Sequence, residues 1–338
     1  MFKILSLDQK DRWNTIVRSM NRYDFYHLAE YHQLEHSGQS LLLHFSSKKT
    51  SLALPVILRP IDGTEYNDLT SVYGYAGPLS DQENPNEQAV RDFQKELLYF
   101  FDCQKVVSGF ARLHPLFNNQ EFLLSGLGEI VDTNQTVGID LSLSEQEQKR
   151  QYSRSLKNQI NRLKRRNIIV KKAQTHEEID LFFEIYSETM RRVNASGMYF
   201  FPKDYFYRFI EELPSAIFLA YYEEKAISGS LFTTCNSIVQ AHLNATRDEY
   251  LRWSPLKLVL DSIRKYSIET NEKILHLGGG VTGGNDSLFQ FKARFSDLRF
   301  SFKTWRYIHN KEVYDRLVSG KYMDQILQSS FFPLYRLG

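Results

Sequence analysis

In the stretch LHLGGGVTGGNDSLFQFKARF, residues 275–295, a lysine stands in an apolar helical stripe just after a run of glycines. Lys292 follows Leu288 by four residues and precedes Phe295 by three, so it sits on or beside the stripe that Leu288, Phe291 and Phe295 define. Its ammonium has three outlets: it snorkels to water, it pairs with a carboxylate, or it faces an internal cleft, where a fixed cation stabilises developing negative charge. Asn285 or Asp286 caps this helix, and Asp286 adds a carboxylate near the proposed cleft. Five glycines in the seven positions Gly278 to Gly284 allow positive φ and close backbone approach. That suits Gly279 and Gly280 as cleft lining; a simple mobile turn is the competing reading. The run matches neither the G-x-x-x-x-G-K-[ST] phosphate loop nor a dinucleotide fingerprint, because the lysine-serine pair and the downstream acidic residue are missing. His242, on the segment IVQAHLNA, is a second candidate: a neutral imidazole accepts a proton in general-base catalysis, and the plainer alternative is a hydrogen-bonded core histidine. Asn244 falls on the same strand face by a period of two.

A second chemistry is electrostatic. Residues 149–172 hold ten basic side chains and no acidic one, which leaves 32 basic against 40 acidic residues in the remainder of the chain. Ser144 and Glu147 form a capping-box pattern, and Tyr152, Leu156, Ile160 and Leu163 recur at helical spacing. One face of such a helix packs while Arg154, Lys157 and Arg162 project, as a surface for phosphates or as a solvated face that meets acidic residues elsewhere. In the first half, SVYGYAGPL combines a tight turn with Tyr73 and Tyr75, which either stack on a sugar or pack against the core.

The elements that must hold these groups alternate. In the second half a strand at 168–173 leads to a helix opened by Thr175 and Glu178, then to a helix over 203–213 stopped by Pro214. A hairpin, AIFLAYY and AISGSLFTT around EEK, precedes the strand IVQAHLNA. A helix capped by Ser254 with Pro255 in its first turn runs to about residue 270, followed by KILHL, the glycines, the lysine-bearing helix and the strand RFSFKTWRYI. The first half repeats much of this order: FKILSL, helical stretches near 9–20 and 26–36, the paired strands of SLLLHFSSKKTSLALPVIL, a strand at 64–72, a helix over 86–101 and KVVSGF. The fold class that follows is α/β (α+β), in two copies of one unit.

Composition agrees with a large folded protein. An apolar fraction of 42% in 338 residues supplies cores for two domains. Only Cys103 and Cys235 are present, far apart, which argues against a disulfide scaffold or zinc site and for a reducing cytosol. The start MFKILSLDQKDRW turns polar before any signal-type run develops, and no window is long enough to span a bilayer. The expectation is a soluble, cytoplasmic protein with no integral membrane association and no DNA partner.

The doubled element order resembles the GNAT acyltransferase fold, and in particular the FemAB family of peptidoglycan-bridge aminoacyltransferases with the FemAB-like proteins of bacterial glycan gene clusters. The resemblance spans nearly the whole chain and rests on YAGPL (75–79), the basic LKNQINRLKRRNIIV and the Phe-Lys pair of DSLFQFKARF, the last being the most specific. It implies two tandem GNAT-like domains, 1–143 and 144–319, each a mixed, mainly antiparallel twisted sheet flanked by helices, with 320–338 folded back on the first. By the same resemblance Lys292 lies in an acyl-transfer site, where it stabilises the carbonyl oxygen or orients an aminoacyl ester. His242 occupies a strand from which GNAT enzymes aim catalytic groups, and the basic helix lies near a nucleotide-linked precursor or tRNA. The glycine-rich pyrophosphate turn of CoA-dependent members is replaced here by TRDEYLRWSPLKLV, which has no glycine; Arg247 and Arg252 supply charge without close backbone approach. No extended heptads mark the coiled-coil arm of several FemAB enzymes. The implied function is transfer of an acyl or aminoacyl group to an amine of a sugar or cell-wall precursor. Acyl-CoA and aminoacyl-tRNA both stand as co-substrates, with no bound cofactor or metal. The rival is a non-catalytic glycan or nucleotide-sugar binding protein on the same fold.

Overall fold

The computed structural model describes residues 1–281, 286–319 and 331–337. The chain forms two compact units, Met1–Thr133 with Ser301–Gly338, and Asn134–Phe300. Sequence boundaries at 143/144 and 319/320 assign residues 134–143 to the first unit and 301–319 to the second. Strand pairing divides them differently, as the sheets show.

The first unit contains β1 (Phe2–Ser6), α1 (Lys10–Arg18), α2 (Ala29–His32), β2 (Gln39–Ser46), β3 (Ser51–Pro60), β4 (Asn67–Thr70), β5 (Leu79–Ser80), α3 (Glu87–Cys103), β6 (Val106–Arg112) and α4 (Gln120–Leu123). β7 (Glu129–Asp140) crosses the boundary. The second unit has α5 (Glu145–Gln151), α6 (Arg154–Arg165), β8 (Ile169–Lys172), α7 (His176–Arg192), α8 (Lys203–Glu212), β9 (Ser215–Tyr222), β10 (Lys225–Cys235), β11 (Ile238–Thr246), α9 (Leu256–Glu269), β12 (Ile274–Gly279) and α10 (Ser287–Ala293). β13 (Arg299–Ile308) and α11 (Lys311–Ser319) follow.

Each unit repeats one plan. In the first, strands run β1-β2-β3-β4-β6-β13, antiparallel except for β4 beside β6. In the second they run β7-β12-β11-β10-β9-β8, antiparallel except for β11 beside β12. A parallel pair needs a crossover, and α3 and α9 supply it. Residues 136–140 of β7 pair with β12, and residues 304–308 of β13 pair with β6, which is why the unit boundaries depart from the sequence expectation.

Helix patterning accounts for the cores. Val90, Phe93, Leu97 and Phe101 of α3 bury one stripe against Phe45, Leu54 and Val56. In the second unit α9 covers one sheet face, with Tyr266 edge-on to Phe218 and Phe232. α7 covers the other, where a Cβ on Gly229 would lie 2.8 Å from Phe182.

Three local readings differ from expectation. The helix read from Ser144 through the basic run breaks at Tyr152, and Ser153 caps a fresh helix by accepting the Leu156 amide at 3.2 Å. Ser254 does not cap α9; it takes a left-handed φ of 55° and turns its hydroxyl to the Leu251 carbonyl, leaving Pro255 at the cap position. The helical stretch near 26–36 is interrupted at extended Leu28, between a short 3-10 turn and α2. The capping boxes at Ser144/Glu147 and Thr175/Glu178 form as read.

The break at Tyr152 has a cause. Arg264 of α9 is fully buried, and its guanidinium donates to Tyr152 Oη (2.9 Å), Asp261 Oδ1 (3.1 Å), Gln148 Oε1 (3.0 Å) and Glu145 Oε1 (3.1 Å). Turning Tyr152 inward onto this group interrupts the helix and ties α5, α6 and α9 together. The described C-terminal residues pack on the first unit: Phe332, Leu334 and Tyr335 join Ile61, Val107 and Val313, and Arg336 Nε meets Asp68 at 2.8 Å. Residues 320–330 and 338 of the expected fold-back segment lie outside the described residues. No described helix is long and apolar enough to cross a membrane.

Removing one partner from a buried ion network strands the others, so Arg264→Ala should lower the unfolding free energy by roughly 3–5 kcal/mol. Urea denaturation measures this; an unchanged midpoint would show that the network carries no weight.

Candidate active site

The parallel ladder of β11 and β12 covers only Ile238–Gln240 against Ile274–His276, so beyond these residues β11 has no partner on that side in the ladder. β12 continues along β7 through a register shift after His276, with Gly278 at φ +76°. The strand thus ends in a bent glycine segment whose carbonyls leave the regular ladder. α10 begins at Ser287. Asp286 caps it, accepting the Phe289 amide at 2.9 Å, and its other oxygen accepts the Val281 amide at 2.6 Å. This carboxylate fastens both ends of the loop, and a Cβ on Gly280 would lie 2.3 Å from it, so a side chain there would displace the capping carboxylate. Gly283, Gly284 and Asn285 lie outside the described residues.

Lys292 projects from the far turn of α10, and its Nζ donates to the Gly279 carbonyl at 2.6 Å. The side chain is half-buried. Burial lowers its pKa from 10.5 to about 8, partly opposed by the Asp286 charge. Among the described residues it forms no ion pair, so of the outlets open to it, this ammonium takes a backbone carbonyl. Gly279, Gly280, Asp286 and Lys292 therefore come together as one constellation.

His242 lies on the α8 side of the sheet, its Nε2 3.0 Å from the Tyr205 hydroxyl and its ring stacked on Phe209 at 5.0 Å. Burial lowers its pKa to about 3, so the imidazole is neutral throughout the physiological range and a weak proton acceptor. Asn244 does not share its face. A bulge opposite Leu231 and Phe232 inserts one residue into β11, which pairs Asn244 with Ser230 on the α9 side and overrides the period of two. Asn244 Oδ1 and Ser230 Oγ are both buried without a hydrogen-bond partner among the described residues.

A buried relay stands where the two strands part. His276 Nδ1 meets Gln240 Oε1 at 2.7 Å and its Nε2 meets Thr136 Oγ1 at 2.8 Å. The amide oxygen only accepts, so Nδ1 carries the proton and the threonine hydroxyl donates to Nε2. Sequence reasoning passed over these residues, since a histidine between two leucines in LHL reads as plain strand. It also passed over Lys257, 3% exposed in α9, although the signal that marks Lys292, a lysine within an apolar helical run, is present in SPLKLV.

The basic helix presents its charge. Arg154, Lys157 and Arg162 are exposed while Leu156, Ile160 and Leu163 are buried, and among the described residues no carboxylate pairs with these three cations. Arg247 is different: its guanidinium is held by Glu184 and Glu188, each at 3.2 Å, and by the Ala226 carbonyl at 2.9 Å, which leaves little charge for a donor. Arg252 is exposed. In the first unit, Gly74 and Gly77 take φ of +117° and +96°, and Gln120 pins the loop through the Ala76 and Pro78 carbonyls. The Tyr75 ring is packed edge-on against Tyr26 and Phe302, while Tyr73 accepts the Tyr31 hydroxyl on its carbonyl at 2.9 Å. A cavity of about 390 Å³ lies in the first unit, beside Arg22, Asn84, Asn118 and Phe122; no residue expected from the sequence to form a site lines it. Among the described residues no cluster of acidic, histidine or cysteine side chains is suited to a metal.

No protein-family model and no curated protein matches the chain. Solved structures do. FemX aligns over 94% of this chain and 99% of its own, with TM-score 0.73 and 12% identity. A conserved protein of unknown function from Bacteroides thetaiotaomicron covers 90% of this chain and 99% of its own at TM-score 0.60 and 11% identity. The C-terminal domain of a protein named as a lysylphosphatidylglycerol synthetase in Agrobacterium fabrum covers 92% and 96% at TM-score 0.59 and 13% identity. The fold is FemX-like, with one α/β plan repeated in two units of the chain.

The depressed Lys292 pKa has a stability signature. Between about pH 8 and 10.5 the unfolded lysine still holds a proton that the folded one has lost, so stability rises with pH across that window. In Lys292→Met this component should be missing when urea midpoints are compared across the same pH series; identical slopes would refute the buried-ammonium assignment.

Proposed function

We propose that the chain is an acyltransferase that moves an acyl or aminoacyl group to an amine of a sugar or cell-wall precursor, with transfer centred on Lys292. The observation that carries this reading is the half-buried ammonium on the Gly279 carbonyl, without a carboxylate partner among the described residues, beside the open end of the β11–β12 ladder. The FemX-like fold supports it.

In such a transfer the amine nitrogen attacks the donor carbonyl carbon, a C–N bond forms and the carbonyl electron pair moves to oxygen. Collapse of that intermediate breaks the bond to the donor's alcohol or thiol, which departs with the proton shed by the amine. An ammonium has three N–H donors, and the bond to Gly279 uses one, so Lys292 retains two for the oxyanion. Asp286 is a positioning residue: it fixes the helix that carries the lysine and the strand end that receives it. His242, neutral and hydrogen-bonded, serves in this scheme as a polar wall rather than as the base.

The donor side favours aminoacyl-tRNA over acyl-CoA. At the start of α9 the Lys257 and Leu258 amides are already bonded to the Ser254 and Pro255 carbonyls and proline offers no N–H, which leaves this helix head poorly furnished with the bare amides that hold a pyrophosphate. The cations Arg154, Lys157 and Arg162 of α6, without carboxylate partners among the described residues, suit a polyanion. A second reading, a glycan or nucleotide-sugar receptor without catalysis, draws on the first unit's cavity, whose asparagines and exposed Phe122 suit sugar hydroxyls and an apolar sugar face.

Lys292→Met should retain the wild-type circular dichroism spectrum and lower turnover by about 10²–10³-fold, the weight of one oxyanion donor. Wild-type rate should fall above about pH 8 as the ammonium loses its proton. A folded variant with full activity ends the reading, and ligand binding without any transfer favours the receptor. For the donor, tRNA affinity should drop steeply with added salt and be abolished by charge reversal at Arg154 and Arg162; a salt-independent isotherm would exclude the polyanion surface.

A further inference from the structure

Arg22 lines the first unit's cavity of about 390 Å³ and is fixed there by two contacts. Its Nη1 donates to the Leu116 carbonyl at 2.9 Å, and its guanidinium lies 5.2 Å from the centre of the Phe117 ring. Phe117 is held in turn, because it stacks at 3.9 Å on His114, which the buried Asp24 carboxylate meets at 3.0 Å. A guanidinium carries five N–H donors and the Leu116 carbonyl uses one, so most remain. Among the described residues no carboxylate forms an ion pair with Arg22. The loop that supplies Glu83 and Asn84 to the lining is fastened as well. The Asn21 amide donates to the Ser80 carbonyl at 2.9 Å, the Asn119 side chain donates to the Gln82 carbonyl at 3.2 Å, and Asn86 closes the loop by capping α3.

Two carboxylates belong to this lining, and they differ. Glu87 is met by Arg91 at 3.2 Å. Glu83 has no ion-pair or hydrogen-bond partner among the described residues, although it lies near enough to Arg22 for its charge to oppose the lowering of the arginine pKa by partial burial. Two opposite charges are thus held near each other on separately fastened segments, out of ion-pair contact, and both line one open volume. That arrangement selects ligands by sign. A phosphate or other simple anion that reaches Arg22 also meets the Glu83 charge, and a simple cation at Glu83 meets Arg22. A neutral sugar bonds to Asn84 and Asn118 but leaves both charges as they were. A molecule with a carboxylate and an ammonium on one carbon answers both at once. Leu79 and Phe122 add apolar surface for its side chain.

We propose that this cavity binds a free α-amino acid, with its carboxylate on Arg22, its ammonium on Glu83 and an apolar side chain against Leu79 and Phe122. The volume falls in the usual range for a small-molecule site. A braced guanidinium and a loop tied at both ends require little ordering on binding. The lining comes entirely from the first unit, so the site takes nothing from Lys292 and stands apart from the transfer reading. It competes with the sugar-receptor reading for the same cavity.

The test uses the full chain and no transfer assay. Wild type, Arg22→Met and Glu83→Gln are titrated calorimetrically with L-leucine, L-phenylalanine, N-acetyl-L-leucine, L-leucinamide and methyl α-glucoside. Wild type should bind at least one of the two amino acids, and each variant should weaken it by at least about tenfold, the scale of one charged hydrogen bond. The acetylated analogue, which lacks the ammonium, should bind wild type and Glu83→Gln alike. The amide, which lacks the carboxylate, should bind wild type and Arg22→Met alike. Variants that bind the amino acids as tightly as wild type overturn the site, as does a wild type that binds neither at millimolar concentration. Binding of the glucoside without the amino acids also overturns it and gives the cavity to the receptor reading. Circular dichroism checks the fold, and if Arg22→Met does not fold, Glu83→Gln with the two analogues decides. Loss of this site leaves the Lys292 reading standing, and an active Lys292→Met leaves the site standing.

Discussion

The candidate site depends on an ammonium held by a backbone carbonyl. A carboxylate partner would cancel the charge of Lys292, whereas the Gly279 oxygen takes one N–H and leaves the positive charge intact. That arrangement constrains what surrounds it. The carbonyl reaches the lysine because β12 shifts register after His276 and Gly278 turns to φ +76°. The loop that follows returns to α10 under the Asp286 carboxylate, which approaches too closely for a side chain at Gly280. Gly278 and Gly280 are thus explained by bending of a strand and by close approach of a carboxylate, and neither reason involves a nucleotide.

The second unit sorts its cations by partner. Arg264 is enclosed by Asp261, Glu145, Gln148 and Tyr152 and serves to fix three helices. Arg247 is bracketed by Glu184 and Glu188 and anchors the end of β11 to α7. Lys292 and Lys257, both shielded from solvent to different degrees, receive neutral oxygens instead. Burial alone would not separate these roles, since Arg264 is the most buried of the four. The partner does: a charge cancelled inside the protein holds the fold, and a charge left uncancelled is available to a ligand, at a cost in stability that some other contact must offset.

Much of the architecture was legible because it rests on local rules. Apolar periodicity, capping boxes at Ser144 and Thr175, and the repeat of strand and helix order give most elements and the doubled plan. What failed were positions where a distant contact overrides a local preference. The helix through Tyr152 looks continuous until Arg264 and Asp261, more than a hundred residues away, draw the tyrosine inward. Asn244 is assigned to the wrong face because a bulge is set by the pairing of β10 with β11 and leaves no mark in either sequence alone. Ser254 precedes proline as a good cap would, yet the turn entering α9 requires left-handed backbone there. β7, rich in polar residues, gave no strand signal; its buried end, Thr136 to Ile139, becomes strand by pairing with β12. At the site, Lys292 was legible because a charge in an apolar stripe is a local anomaly, and the His276 relay was not, because its three members come from three separate strands.

The two units share a topology and differ in what occupies the region near their parallel strands. In the first unit, Asp24 and His114 form a fully buried pair at 3.0 Å, with Tyr26 and Phe117 packed around the imidazole and Tyr75 edge-on to it. Burial keeps His114 well below its ordinary pKa, so the histidine stays neutral and donates to the carboxylate, while its other nitrogen accepts the Leu116 amide. Its hydrogen-bonding capacity is consumed internally. In the second unit β12, one of the two parallel strands, ends in glycine and meets a cation with donors to spare. A duplicated plan therefore need not duplicate chemistry: in one copy aromatic filling and internal neutralisation leave this histidine no hydrogen-bonding group to spare, and in the other the ammonium of Lys292 keeps donors of the kind that stabilise an oxyanion.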